Sequence, residues 1–439
     1  MAALLGEATS GRGEPSGDAT ARSEGPALGV AVSGGSDSTA LLLAAARLVG
    51  VRVETATVDH RLRPEAAAEA RSVAALCSRL GLRHETLAWR DGPQAAANPG
   101  NLAQAARDAR ARLLAEWARS RGLTAVALGH TQDDQAETLL LRLARGSGLD
   151  GLTAMRALSR REGVAWLRPA LDLPREALRT WLRAEGVAWH DDPSNVDPAY
   201  DRPRARAALR SLAPLGLTAA RLAETAARLA EDADHLAEGA AALIGRIASV
   251  DGAGALRLDR AALLSAPPPL RRRALARLLT RLADAPHPPR ARALDALIEA
   301  LTGADPVRRT LHGVLIDAVP NAVFLSREPE RRAESVPVGA LWDGRWRVET
   351  AGSCDETRLG ALETTGMRAL SRLEAEGVWT PSAAWKRSSR AARCVSPALW
   401  EGENLRAAPL AGHGNAAAFD AIAAHFGLGA APPGHVGTR

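Results

Sequence analysis

The chain has 439 residues, room for about three domains at roughly 150 residues each, and its 46% hydrophobic and 24% charged residues argue against wholesale disorder. A net charge of +6 is compatible with a polyanionic partner without establishing one, and because a single lysine, Lys386, stands among 56 basic residues, only local arginine clusters carry information. Cys77, Cys354 and Cys394 are far apart and form no CxxC, which argues against a disulfide framework, a cysteine zinc site or an iron–sulfur cluster, and without an apolar run of about 18 residues no membrane helix is expected.

Residues 1–26 contain Glu7, Glu14, Asp18 and Glu24 and lack the apolar stretch of a secretory signal, so they read as a disordered leader. From Ala27 the pattern changes. ALGVAV (27–32) suits a buried strand, SGGSDS (33–38) a loop and TALLLAAARLVG (39–50) an apolar helix. Strands are expected at 51–60, 83–89 and 123–130, alternating with helices at 64–81, 101–122 and 131–146. That alternation predicts an α/β domain over 27–212 with a mostly parallel, doubly wound sheet, whose ligands sit beyond the carboxyl ends of the strands. From about Thr218 the sequence turns to Ala/Leu/Arg helices, predicting a helical domain over 213–330. A small mixed region follows over 331–439, in which WDGRWRVET (342–350) reads as strands around a turn.

The segment SGGSDS lies between a strand and a helix. Gly34 and Gly35 let the backbone approach a ligand closely. Successive amides from Ser33 to Ser38 at a helix N-terminus then form an anion nest, with the hydroxyls of Ser33, Ser36 and Ser38 as further donors and Ser38 placed to cap. Asp37 contradicts an anion site unless a divalent cation lies between it and phosphate, which is the ligand mixture that Mg²⁺ accepts. The absence of GxxxxGK[ST] separates this loop from a Walker loop. The plainer reading is a capped Gly/Ser turn.

Downstream, His130, Asp133, Asp134 and Glu137 recur at i, i+3, i+4 and i+7, one face of a helix. Three neighbouring carboxylates repel and require a cation or a basic partner. A Mg²⁺ shared by Asp37 and Asp134 answers both problems, and a solvated acidic helix start is the alternative. A zinc HExxH site is excluded because no second histidine stands in register.

SGGSDS resembles the PP-loop of N-type ATP pyrophosphatases, which cleave ATP between its α and β phosphates. VDHRLRPEAAAEA (58–70), NLAQAARDAR (101–110), LGHTQDDQAETLLLRLARGSGLDGL (128–152), RPALDLPREAL (168–178) and WHDDPSNVDPAYDR (189–202) together resemble the tRNA(Ile)-lysidine synthase family over about residues 28–206. The resemblance implies a PP-loop fold and ATP bound by Ser33, Gly34, Gly35, Ser36, Asp37 and Ser38, with Asp59 and His60 beside the adenosine. It implies Mg²⁺ on Asp37 and Asp134, and catalytic roles for Asp37, His130 and Asp134. Asp133, Glu137, Arg145, Arg202 and Arg206 are implied on the substrate side. The implied partners are free lysine and an isoleucine tRNA with a CAU anticodon, in the cytoplasm. In the implied reaction the C2 oxygen of the wobble cytidine attacks the α-phosphorus, pyrophosphate leaves, and the ε-amine of lysine displaces AMP from C2.

Seven arginines between Arg271 and Arg292, including Arg271, Arg272 and Arg273, form a candidate phosphate-backbone surface; an Arg-rich solvated helix face is the alternative. Where the family commonly carries Arg-Asn, this chain has Arg202-Pro203, which predicts a helical entry one residue later. Two rival readings are a PP-loop tRNA thiolation enzyme, which would need a reactive cysteine where only Cys77 is available, and a non-catalytic RNA-binding protein with a vestigial loop.

Overall fold

The computed structural model describes residues 3, 6–7, 26–62, 65–97, 102–161, 163–191, 197, 200–303, 305–350 and 356–428. Nearly all of the expected leader, together with Cys354, lies outside these residues. The chain divides into two compact units, Met1–Ala233 and Asp234–Arg439.

The first unit is built on a six-stranded sheet. Its strands are β1 (Ala27–Ala31), β2 (Arg52–Asp59), β3 (Arg83–Ala88), β4 (Ala125–Leu128), β5 (Leu158–Arg161) and β6 (Val164–Leu167), in the order β3-β2-β1-β4-β6-β5. All neighbours run parallel except the edge strand β5, which turns back along β6. The strand order reverses beside β1, so the crevice between the carboxyl ends of β1 and β4 is the topological switch point. Helices cover both faces. Leu41, Leu42, Val73 and Cys77 pack on one face, while Leu114, Trp117 and Trp166 pack on the other. Burial on both sides explains why β1 and β4 read as unbroken apolar runs rather than alternating ones. Gly29 of β1 is required sterically, since a Cβ there would stand 2.7 Å from the Trp117 ring.

Helices Ser36–Ala46, Ala66–Arg79, Leu102–Ser120 and Gln132–Ala144 fall where the periodicity places them. The first begins three residues earlier than expected, so Ser36–Ser38 form its first turn rather than a separate loop. Helix Asp201–Leu212 begins before Pro203, not after it. Proline is tolerated in a first turn because its missing N–H has no intrahelical partner there.

Residues 213–330 are not helical throughout. Strands β7 (Ala248–Val250), β8 (Leu256–Asp259), β9 (Val307–Leu311), β10 (Val314–Val319) and β11 (Ala322–Arg327) form an antiparallel sheet in the order β7-β8-β11-β10-β9. Along β10 the buried residues are Val314, Ile316 and Ala318, a period of two that the surrounding Ala/Leu/Arg composition obscures. Helices Pro268–Leu282 and Ala291–Thr302 share one core with this sheet through Leu275, Leu279 and Leu297. Beyond it, β12 (Val336–Pro337), β14 (Thr357–Ala361), β15 (Pro397–Glu401) and β16 (Asn404–Ala407) form a four-stranded sheet, and β13 (Trp346–Thr350) pairs with β17 (Ala416–Asp420). The expected hairpin at 342–350 is therefore a tight Trp342–Trp346 turn feeding one strand, whose partner lies far along the chain.

Candidate active site

Three polar segments leave the carboxyl ends of adjacent parallel strands: Ser33–Ser38 after β1, Asp59–His60 at β2 and His130 after β4. The glycine–serine loop is held from several sides. Gly34 adopts φ +87°, a conformation that strains any side chain, and its carbonyl accepts a 2.8 Å hydrogen bond from the His190 amide. The N-cap of the following helix is Gly35, without a side-chain cap. Ser38 does not cap: its Oγ donates to the Gly35 carbonyl at 3.1 Å and accepts from the Ser33 amide at 3.1 Å. Gly129 fixes the loop from below, since a Cβ there would lie 2.9 Å from the backbone of Asp37 and Ser38.

His130 stands just outside the acid helix Gln132–Ala144, not on its face. Thr131 is the N-cap, and Asp134 closes a capping box, its Oδ2 accepting from the Thr131 amide at 2.9 Å and from Thr131 Oγ1 at 3.0 Å. Asp134 and Glu137 are buried, so the solvated-acid alternative does not describe them.

The basic partner that these acids require is Arg175. It opens helix Arg175–Ala184 directly after Pro174. Its Nε lies 2.8 Å from Asp37, one Nη 3.1 Å from Asp134 and the other 3.6 Å from Glu137, while its amide donates to Asp133 at 2.8 Å. Helix Asp201–Leu212 adds two more guanidiniums, Arg202 at 3.8 Å from Asp134 and Arg206 at 2.5 Å from Glu137. The i,i+4 spacing of these arginines faces the i,i+3 spacing of the acids. Arg145 pairs with Asp201 at 2.8 Å instead of meeting the acids.

Electrostatics follow from this crowding. Burial drives the His130 imidazole down to about 3, with Arg168, Arg202 and Arg110 adding to the effect and Asp134 opposing it. Burial alone would raise Asp134, but Arg175 and Arg202 overcome it and hold the carboxyl below its usual range. His130 is therefore neutral and Asp134 ionised at pH 7. His60 is lowered by burial and by Arg110, and packs edge-on to Trp89 at 5.9 Å. The Nδ1 atoms of His60 and His130 are buried without a hydrogen-bond partner among the described residues. Asp59 turns back to accept from the Arg61 amide at 2.8 Å.

Sequence reasoning missed Arg175, Arg110 and Gly129. Arg110, on helix Leu102–Ser120, is depressed by burial and by Arg202, and it has no carboxylate or carbonyl partner among the described residues. Arg107 is lowered by burial and then by Arg202 and Arg145. Like charges gathered in this way call for an anion. Arg175 and Arg110 both lie within the motif pieces quoted above, and the unmet demand of the acids for a cation was the available signal for Arg175.

A Mg²⁺ between Asp37 and Asp134 does not fit this arrangement. The Arg175 guanidinium spans the two carboxylates, Asp134 Oδ2 already accepts three donors, and the described residues contain no cluster of three metal-ligating side chains. Asp37 is also engaged, one oxygen on Ser36 Oγ at 2.9 Å and the other on Arg175 Nε at 2.8 Å, so it would hold a cation only where phosphate oxygens draw the guanidinium away. Cys77 is buried, and burial raises its thiol, the opposite of what sulfur transfer requires.

In the second unit, Arg271 donates to the Leu264 carbonyl at 2.7 Å and Arg272 pairs with Asp295 at 2.7 Å. The arginines of 271–292 thus do not form a single face of unengaged guanidiniums. No described helix is long and apolar enough to cross a membrane.

A family model described as a PP-loop domain matches residues 16–213. A tRNA(Ile)-lysidine synthase of Ruegeria pomeroyi is 41% identical over 395 residues, covering 88% of this chain and 89% of its own. One of Methylobacterium nodulans is 44% identical, covering 69% and 91%, and one of Mesorhizobium japonicum is 37% identical, covering 85% and 82%.

Proposed function

This chain belongs to the tRNA(Ile)-lysidine synthase family, and from that premise we propose how its residues divide the ATP-dependent modification of tRNA between them. ATP lies over the amides of Ser33–Ser38, with its adenosine toward Asp59 and His60. The C2 oxygen of the wobble cytidine in a CAU-anticodon isoleucine tRNA attacks the α-phosphorus, and pyrophosphate leaves into the loop. Donors fixed in place before the reaction stabilise the charge that develops there. Asp37 would hold a Mg²⁺ brought in with the nucleotide, which would further neutralise the phosphates.

Free lysine then attacks C2 through its ε-amine and expels AMP. Asp134, buried and held ionised by Arg175 and Arg202, and Glu137, buried beside it, are the acids toward which the lysine ε-ammonium is drawn before it releases a proton to water and attacks as the amine, while Asp133 anchors the Arg175 amide. Proton transfer at pH 7 does not suit His130, whose burial leaves it a weak base; as a neutral imidazole it serves as a hydrogen-bonding group for the extruded base. Arg110, Arg107, Arg145 and Arg202 supply positive charge for the phosphates of the nucleotide being modified. Arg271, Arg272 and Arg273, in the second unit, contribute to tRNA binding through the parts of their guanidiniums not engaged internally. The reaction takes place in the cytoplasm.

The observation that carries this reading is the meeting of a glycine–serine phosphate loop with a buried acid helix at one switch point. Incubation with labelled lysine, ATP and the CAU isoleucine tRNA, followed by nucleoside analysis, is expected to yield lysidine with stoichiometric AMP and pyrophosphate. Absence of both lysidine and tRNA-dependent ATP–pyrophosphate exchange would refute it.

A further inference from the structure

One residue meets four of the five acids that the sequence singles out at this site, all but Asp59. The three nitrogens of the Arg175 guanidinium face Asp37, Asp134 and Glu137 at 2.8, 3.1 and 3.6 Å, and the amide of the same residue binds Asp133. The guanidinium is 16% exposed and Glu137 only 1%. Arg175 is also pinned: it is the first residue of its helix, preceded by Pro174 and tied by its amide to the acid helix. Carboxylates at this depth stay ionised only with compensating positive charge. A planar guanidinium provides it along with donors for several lone pairs, without the ordered water shell that Mg²⁺ gives up reluctantly.

We propose that Arg175 is the resident counter-ion of the site, standing between phosphate loop and acid helix where a divalent cation would otherwise be drawn in. The nucleotide-free protein then holds no metal there, and a cation enters only together with ATP. Incoming phosphate oxygens compete with Asp37 for the guanidinium and leave a carboxylate oxygen open to the ion that the nucleotide carries. This last consequence rests on reading 33–38 as the phosphate cradle; the counter-ion role itself does not.

Mn²⁺ titration of the full chain, followed by electron paramagnetic resonance, tests the proposal without tRNA or lysine. Without nucleotide, the wild-type chain is expected to show no stoichiometric Mn²⁺ site; with a non-hydrolysable ATP analogue it is expected to bind one. Arg175→Gln is expected to create one site in the nucleotide-free chain, at least tenfold tighter than any wild-type binding, and an added Asp37→Asn to remove it. Stoichiometric Mn²⁺ on the nucleotide-free wild type overturns the proposal, as does a folded Arg175→Gln chain with no gain. Should Arg175→Gln not fold, Arg175→Lys, whose single ammonium cannot face three acids at once, is expected to show a smaller gain, and its absence counts against the idea. Failure of lysidine synthesis with this Mn²⁺ pattern intact would count against the proposed function and leave the role of Arg175 standing.

Discussion

Comparing the two units separates two uses of the same residue type. In the second, arginines are consumed by internal acceptors: Arg260 is buried and donates to the carbonyls of Leu301, Gly303 and Val319, while Arg345 forms a two-point pair with Asp420 and stacks over Trp346 at 4.5 Å. In the first, burial and the neighbouring Arg202 depress both Arg107 and Arg110, and Arg110 lacks a carboxylate or carbonyl acceptor among the described residues. An arginine with its acceptors satisfied holds the fold together. One left among like charges is held ready for an anion from outside. In a chain this rich in arginine, the acceptor distinguishes the two uses, and the count does not.

The sharpest way to break this contrast is to remove one arginine of each kind. Arg110→Ala is expected to lower kcat/KM for lysidine formation by roughly 10²- to 10³-fold, the scale of losing one preorganised donor, with little change in Tm. Arg345→Ala, which leaves the largely buried Asp420 with only the Ile422 and Ala423 amides and no compensating cation, is expected to cost about 3–5 kcal/mol and to lower Tm by roughly 10 °C. ATP–pyrophosphate exchange per folded molecule should survive in that variant. If both variants lost stability equally, the contrast would fail.

Smaller effects sharpen it. Gly129→Ala places a methyl against the Asp37 backbone and, at an overpacking cost of about 1–3 kcal/mol, is expected to raise the KM for ATP more than that for lysine. Acid should weaken the fold through the buried histidines. The unfolded chain protonates His130 near 6.5, whereas the folded chain resists down to about 3, so stability is full above 6.5 and declines as pH falls through that window. His60 and His84, both lowered by burial, act in the same direction. Thermal melts at pH 7.5 and 5.5 should therefore differ less for His130→Gln than for the wild type. The smallest effect is expected from Arg272→Ala: breaking its exposed pair with Asp295 should change stability by under about 1 kcal/mol, while tRNA affinity falls modestly and the salt slope flattens by about one.

How far each feature could be read from the chain depends on how local its cause is. Each strand–loop–helix step over 27–146, the glycine–serine loop and the acidic helix start is set by a short run of consecutive residues. Apolar runs, glycines and an N-cap Thr131 are enough to announce them. The strands of 248–327 were obscured because each is short and set among residues that equally suit helices. Ser38 does not cap its helix because the cap position is fixed by where the backbone turns, at Gly35, and not by which hydroxyl stands nearby.

Sequence by itself determined the glycine–serine loop, the acids and the parallel α/β frame, because short-range sterics, hydrogen bonding and hydrophobic periodicity act between residues a few positions apart. Only the tertiary structure decided which cation answers those acids. Asp37 and Arg175 are 138 positions apart, and nothing but the packing of helix Arg175–Ala184 against helix Ser36–Ala46 brings their charges to 2.8 Å.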